Sequence, residues 1–213
     1  MLTAVKPAVA VASSSAAVPA AAPIQQLHHY AYRAKDAEET RHFYEDVLGL
    51  PLYHIIQSDY VPSTGEYCPY THFFFRLRDG SFIAFFDLGD DQAALPSPNT
   101  PVWVNHISFR VDTVADLEAM KARLQAEGIE VLGVTDHHVF KSIYFFDPNG
   151  IRLELTAQLA SEDDMKKESH VAHARLGEWT ARKQQWRRER AEGKVNQPLT
   201  PGRNDRPEFT GER

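Results

Sequence analysis

Two histidines and a glutamate occupy matching corners of a sequence that repeats itself, and together they form a donor set able to hold a divalent cation. The chain reads His29-Tyr-Ala-Tyr-Arg-Ala-Lys-Asp near its start and His106-Ile-Ser-Phe-Arg-Val-Asp-Thr one module later. Each run is followed by a helical stretch and a glycine turn. Four residues beyond the turn glycine stands Glu154 in the second copy (after Gly150), but Ala84 in the first (after Gly80). Imidazole nitrogens and carboxylate oxygens ligate transition metals, whereas the methyl group of Ala84 ligates nothing. Taken singly, His29 or His106 reads as an ordinary partly buried polar side chain. Their recurrence at one motif position in both copies reverses that reading and points to a binding site.

The elements that must position these residues follow from periodicity and punctuation. Residues 27–34 are aromatic-rich and extended; Asp36 then offers an N-cap to a helix over 37–48, where Phe43, Val47 and Leu48 form an apolar stripe that Gly49 ends. Residues 52–56, 71–77 and 81–88 read as strands, with Asp79-Gly80 as the hairpin turn between the last two. A linker rich in Gly, Asp, Ser and Pro covers 89–101. The same order then recurs: a strand over 103–111, a helix capped by Asp112 or Thr113 and stopped by Gly128, and strands over 129–134, 141–146 and 151–156. The predicted fold is therefore α+β, two paired βαβββ modules (27–88 and 103–157) within a domain spanning 24–158. Pairing the two sheets into one metal-containing cleft would bring the repeated residues together.

Strand alternation refines the donor set. His29, Ala31 and Arg33 share one side of the first strand, and His106, Ser108 and Arg110 the matching side of its counterpart. Glu154 shares a face with Arg152 and Thr156, and Tyr144 lies across the 147–150 turn from it, on the same face.

Composition excludes several classes of function. The 213 residues carry 43% hydrophobic and 24% charged side chains, which is ordinary for a globular protein. A net charge of −6 gives no electrostatic reason for nucleic acid or anionic membrane as a partner. The single cysteine, Cys68, precludes an intrachain disulfide and fits a reducing compartment. Residues 1–23 read as a flexible extension, because prolines and serines interrupt any signal-like apolar run, and no segment reaches membrane-span length. A cytoplasmic location is expected. Residues 159–194 read as a charged helical extension with Trp179 and Trp186 on one face, placed to dock on a partner subunit or close over the cleft, and 195–213 as a disordered tail.

The paired modules with His at the first strand of each, the Phe-Tyr-Glu-Asp-Val-Leu-Gly-Leu stretch (43–50) and the Lys-Ser-Ile-Tyr-Phe-Phe-Asp-Pro-Asn-Gly-Ile-Arg-Leu-Glu run (141–154) resemble the vicinal oxygen chelate superfamily. That superfamily includes glyoxalase I, fosfomycin-resistance transferases, methylmalonyl-CoA epimerase and extradiol ring-cleaving dioxygenases. The resemblance covers about 25–158. A His29, His106, Glu154 set without a fourth protein ligand matches the facial triad of non-haem Fe(II), with positions left for substrate and dioxygen. Glyoxalase-like members would carry a carboxylate where Ala84 stands.

The resemblance thus implies an Fe(II)-dependent extradiol-type dioxygenase acting on a catechol-like aromatic, and a homodimer. Extradiol members also carry a non-ligating His before the penultimate strand and a Tyr on it. Here these are His137 or His138, with His138 preferred as acid/base, and Tyr144 as hydrogen-bond donor to a substrate oxygen. The alternatives are a lyase, isomerase, epimerase or transferase of glyoxalase type using Mn, Zn, Ni or Co, and a non-catalytic small-molecule-binding protein.

Overall fold

The computed structural model describes residues 22–194. The tail read over 195–213 and all but the last two residues of the 1–23 extension lie outside them. The first module runs β1 (His29–Ala34), α1 (Ala37–Arg41) continuing as a π-helical stretch (His42–Val47), β2 (Leu52–Tyr60), β3 (Tyr67–Arg76) and β4 (Phe82–Asp87). The second runs β5 (Ile107–Val111), α2 (Val114–Ala126), β6 (Leu132–Asp136), β7 (Phe140–Phe146) and β8 (Arg152–Gln158), followed by α3 (Glu162–Ala191).

Both helices start where capping chemistry places them. The Asp36 carboxylate accepts from the Glu39 amide, and Thr113 and Asp116 form a reciprocal capping box at α2. Each module folds into a four-stranded sheet, ordered β1-β4-β3-β2 and β5-β8-β7-β6, with the first pair parallel and the others antiparallel. Several strand boundaries differ from the sequence reading; β6, for one, runs over Leu132–Asp136 rather than 129–134. The β2–β3 hairpin extends to Tyr60 and Tyr67, and residues 102–104 form a turn, so that His106 directly precedes β5.

Alternation gives each sheet two unlike faces. Phe73, Phe75, Ile83 and Phe85 of the first sheet and Ile143, Phe145, Leu153 and Leu155 of the second are buried in one continuous core with Phe43, Tyr44, Val47, Leu117 and Leu124 from the helices. The polar ties between modules run on this helix side. Tyr44 donates to Asp147, Asn149 donates to Thr40, the Lys35 amide donates to Asn149, and Arg123 donates to the carbonyls of Asp46 and Val47. The opposite faces of the sheets carry the residues singled out above.

Candidate metal centre

Glu154 sits third in β8, flanked in register by Ser108 on β5 and Tyr144 on β7. It is only 4% exposed, and its Oε2 lies 3.1 Å from His106 Nε2. The other imidazole nitrogen of His106, Nδ1, is 3.0 Å from the Val104 carbonyl and must therefore carry a proton to donate there. That leaves Nε2 facing a carboxylate oxygen. Two lone-pair atoms at this distance need a proton or a cation between them, and metal-ligating histidines are oriented by the same kind of second hydrogen bond.

Glu154 Oε1 is buried without a hydrogen-bond partner. Burial raises the Glu154 pKa, but the hydroxyls of Ser142, Tyr144 and Ser108, together with His106, outweigh it and hold the carboxyl below the usual glutamate value. Ser108, Thr156 and Ser142 form a hydroxyl ladder beside it, with Thr156 Oγ1 at 2.8 Å from Ser108 and 3.0 Å from Ser142. A buried ionised carboxylate with one unmatched oxygen, next to a pre-oriented imidazole, fits a divalent cation. His106 and Glu154 are the two residues that would hold it.

Tyr144 stands next to this pair. Its hydroxyl is 2.8 Å from His137 Nε2, and the Arg152 guanidinium lies over its ring at 4.4 Å. Burial, then the neighbouring Glu154 carboxylate, raises the Tyr144 pKa, so the phenol keeps its proton at neutral pH. The histidine beside Tyr144 is thus His137, where the sequence reading preferred His138. The reason is a tight turn in which the His137 amide donates to Phe140, the Val139 amide donates to His137, and His138 takes a left-handed φ of 69°. Ser142 was missed. Its place two residues from Tyr144 on a strand was the available signal.

The first module carries the same frame with different chemistry. Ala84 pairs with Ala31 and Phe74 as Glu154 pairs with Ser108 and Tyr144. His29 lies edge-on to Phe74 at 5.6 Å and 2.8 Å from His28 through the two Nδ1 atoms. Neighbours on an extended chain alternate faces, yet the His28 ring meets that of His29. His72, whose pKa burial lowers, stacks flat on Phe86 with ring centres 3.7 Å apart.

His29 does not join His106 and Glu154. Among the described residues, no three His, Cys, Asp or Glu side chains stand where they could hold one ion. The two donor strands belong to separate sheets, joined on their helix sides rather than through the faces that carry these residues.

With this geometry in hand, similarity to known proteins places the chain. The model of the Glyoxalase/Bleomycin resistance protein/Dioxygenase superfamily matches residues 26–155, and the protein belongs to that superfamily. A "Putative ring-cleaving dioxygenase MhqA" of Bacillus subtilis (strain 168) is 36% identical over 53 residues, 25% of this chain and 17% of that protein's length. Among solved structures, a glyoxylase/bleomycin resistance protein/dioxygenase domain from Frankia sp. EAN1pec superposes with a TM-score of 0.53 at 18% identity, covering 64% of this chain and all of that one. The fosfomycin resistance protein FosX of Listeria monocytogenes, complexed with Mn(II) and sulfate, has a TM-score of 0.48 at 22% identity, covering 66% and 98%. The superfamily's own description spans more than one activity, and the choice among them falls to the residues of the site. Among the described residues, no helix is long and apolar enough to cross a membrane.

Proposed function

We propose that the protein is a metal-dependent enzyme, and that it cleaves a catechol-like aromatic substrate with dioxygen at a centre built on β8. The observation that carries this reading is the buried, unpartnered Oε1 of Glu154 beside His106 Nε2, with the Tyr144–His137 pair directly adjacent. In support, the matching position of the first module is Ala84, so the set has the single carboxylate of a facial triad rather than a second acid. The short resemblance to a ring-cleaving dioxygenase points the same way.

In this reading His106 and Glu154 hold the metal, and the third ligand is His29 of a second copy of the chain, since its own His29 lies on a separate sheet. Bound Fe(II) would supply adjacent positions for both substrate oxygens and dioxygen, and would pass electron density between them. Tyr144, kept protonated beside Glu154, donates a hydrogen bond to a substrate oxygen. His137 takes the proton that the substrate hydroxyl loses, relayed through the Tyr144 hydroxyl, and later returns it. His72, Phe74, Phe82 and Phe86 surround His29 on the first sheet, so the second copy that brings His29 would bring an aromatic wall with it.

Anaerobic loading with Fe(II), followed by oxygen-uptake measurements on a panel of catechols, tests this. Uptake is expected with at least one catechol, and Glu154→Ala should lose both bound iron and turnover. Equal turnover with Zn(II) and no oxygen consumption would replace this reading with an isomerase or lyase of the same superfamily.

A further inference from the structure

The longest element among the described residues leaves every one of its side chains at least partly exposed. Helix α3 runs for 30 residues with none of them buried, a length of about 45 Å at 1.5 Å per residue. It lies outside the stretch that the superfamily model matches. Along one side, at alternating spacings of three and four, stand Met165, Ser169, Ala172, Leu176, Trp179, Lys183 and Trp186. That is the 3.5-residue repeat of a helix seam that packs against another helix. Met165, Leu176 and Trp179 on this seam are 43%, 61% and 48% exposed. Trp179 and Trp186 meet edge to face at 5.5 Å, with Arg182 4.6 Å from the Trp186 ring, which gathers the large apolar surface in the C-terminal half.

The helix is also polarised in charge. Glu162, Asp163 and Asp164 fill the first turn, whereas Arg188 and Arg190 stand in the last, with Arg187 just before them. We infer that α3 is a self-docking surface that pairs antiparallel with α3 of a second copy. In that orientation the acidic first turn of each copy meets the basic last turn of the other, and the helix dipoles oppose. The bulky Trp179 and Trp186 fall against the small Ser169 and Ala172 and the flexible Met165, so large side chains meet small ones across the seam. Two-fold symmetry makes both halves identical and closes the assembly at two copies.

Parallel pairing would stack acid on acid at one end and arginine on arginine at the other. The pairs already formed within the helix, Lys166–Asp163, Lys167–Asp164 and Arg175–Glu168, are exposed and hold these side chains only weakly. They leave the carboxylates able to share a second cation.

Oxidative cross-linking of the full chain in a Cys68→Ser background tests both the partner and the direction. Leu176→Cys, near the centre of the helix, is expected to form a covalent dimer by itself. Ser169→Cys and Lys183→Cys, which this register sets opposite each other, should each fail alone, yet cross-link when mixed. Adding Trp179→Glu to the Leu176→Cys chain should reduce cross-linking about tenfold or more, as removal of a central anchor does. Cross-linking of Ser169→Cys alone would overturn the antiparallel arrangement. Absence of any cross-link, or cross-linking indifferent to Trp179→Glu, would overturn pairing with a second copy and leave a different surface as the partner of this helix. Iron content and oxygen uptake do not enter this test, so its outcome is separate from that of the proposed chemistry.

Discussion

At the scale of single residues, strand register sets Ser108, Tyr144 and Glu154 side by side in the second module, while which of two adjacent histidines reaches Tyr144 depends on one turn. The faces of His29, Glu154 and Tyr144, though not a meeting of His29 with the second module's residues, were legible because a repeated motif and a period of two assign each a side. His137 was not, because alternation cannot foresee that residue 138 adopts a left-handed φ of 69° and that its neighbour then reaches Tyr144. The assignment separates two substitutions. His137→Gln should lower turnover by roughly 10²- to 10⁴-fold, the usual contribution of a positioned acid/base group, with metal content unchanged. His138→Asn, which suits the left-handed backbone, should leave turnover within about twofold of the parent. Steady-state kinetics with iron quantified on the same samples reads both, and the reverse pattern would return the role to His138.

At the scale of elements, strands and helices were readable because capping residues and glycine turns punctuate them, yet the junction between modules was not. It depends on Asp147, drawn from an ordinary Asp-Pro-Asn-Gly turn into the interior by Tyr44. The Asp147 carboxyl is 5% exposed as a residue, and burial raises its pKa from 3.8 to about 6, against the opposing hydrogen bonds from Ile151, Asn149 and Tyr44. A carboxyl raised in this way binds its proton more tightly folded than unfolded. Its stabilising contribution is therefore complete below about pH 4 and lost as pH rises through about 6. The shift corresponds to about 3 kcal/mol. Asp147→Asn removes the titration while keeping an acceptor for the turn amides. Stability measured by denaturant unfolding should fall for the parent relative to this variant as pH rises from 4 to 7, and parallel pH profiles would show that Asp147 does not titrate in this window.

At the scale of the whole molecule, the sequence carried the duplication and the faces of the strands that bear His29, Tyr144 and Glu154, but not which faces meet. The helix-side faces carry Phe73, Phe75, Phe145 and Leu153 and fuse the modules into one core, and that core alone satisfies the hydrophobic pattern. The faces bearing His29 and Glu154 lie outside that core, and the proposed function has a second copy bring them together. If each site takes His29 from one copy and His106 with Glu154 from the other, His29→Ala and Glu154→Ala are both inactive alone. When the two variants are unfolded together and refolded as a mixture, half of the dimers contain one of each. Such a dimer has one site lacking both mutated ligands and one site fully intact, so the mixture should recover about a quarter of parental activity, following the statistics of a two-fold assembly. A site enclosed within one chain could not be rebuilt by mixing, and a refolded mixture that stays inactive, although both variants regain their native circular dichroism, would rule out the shared centre.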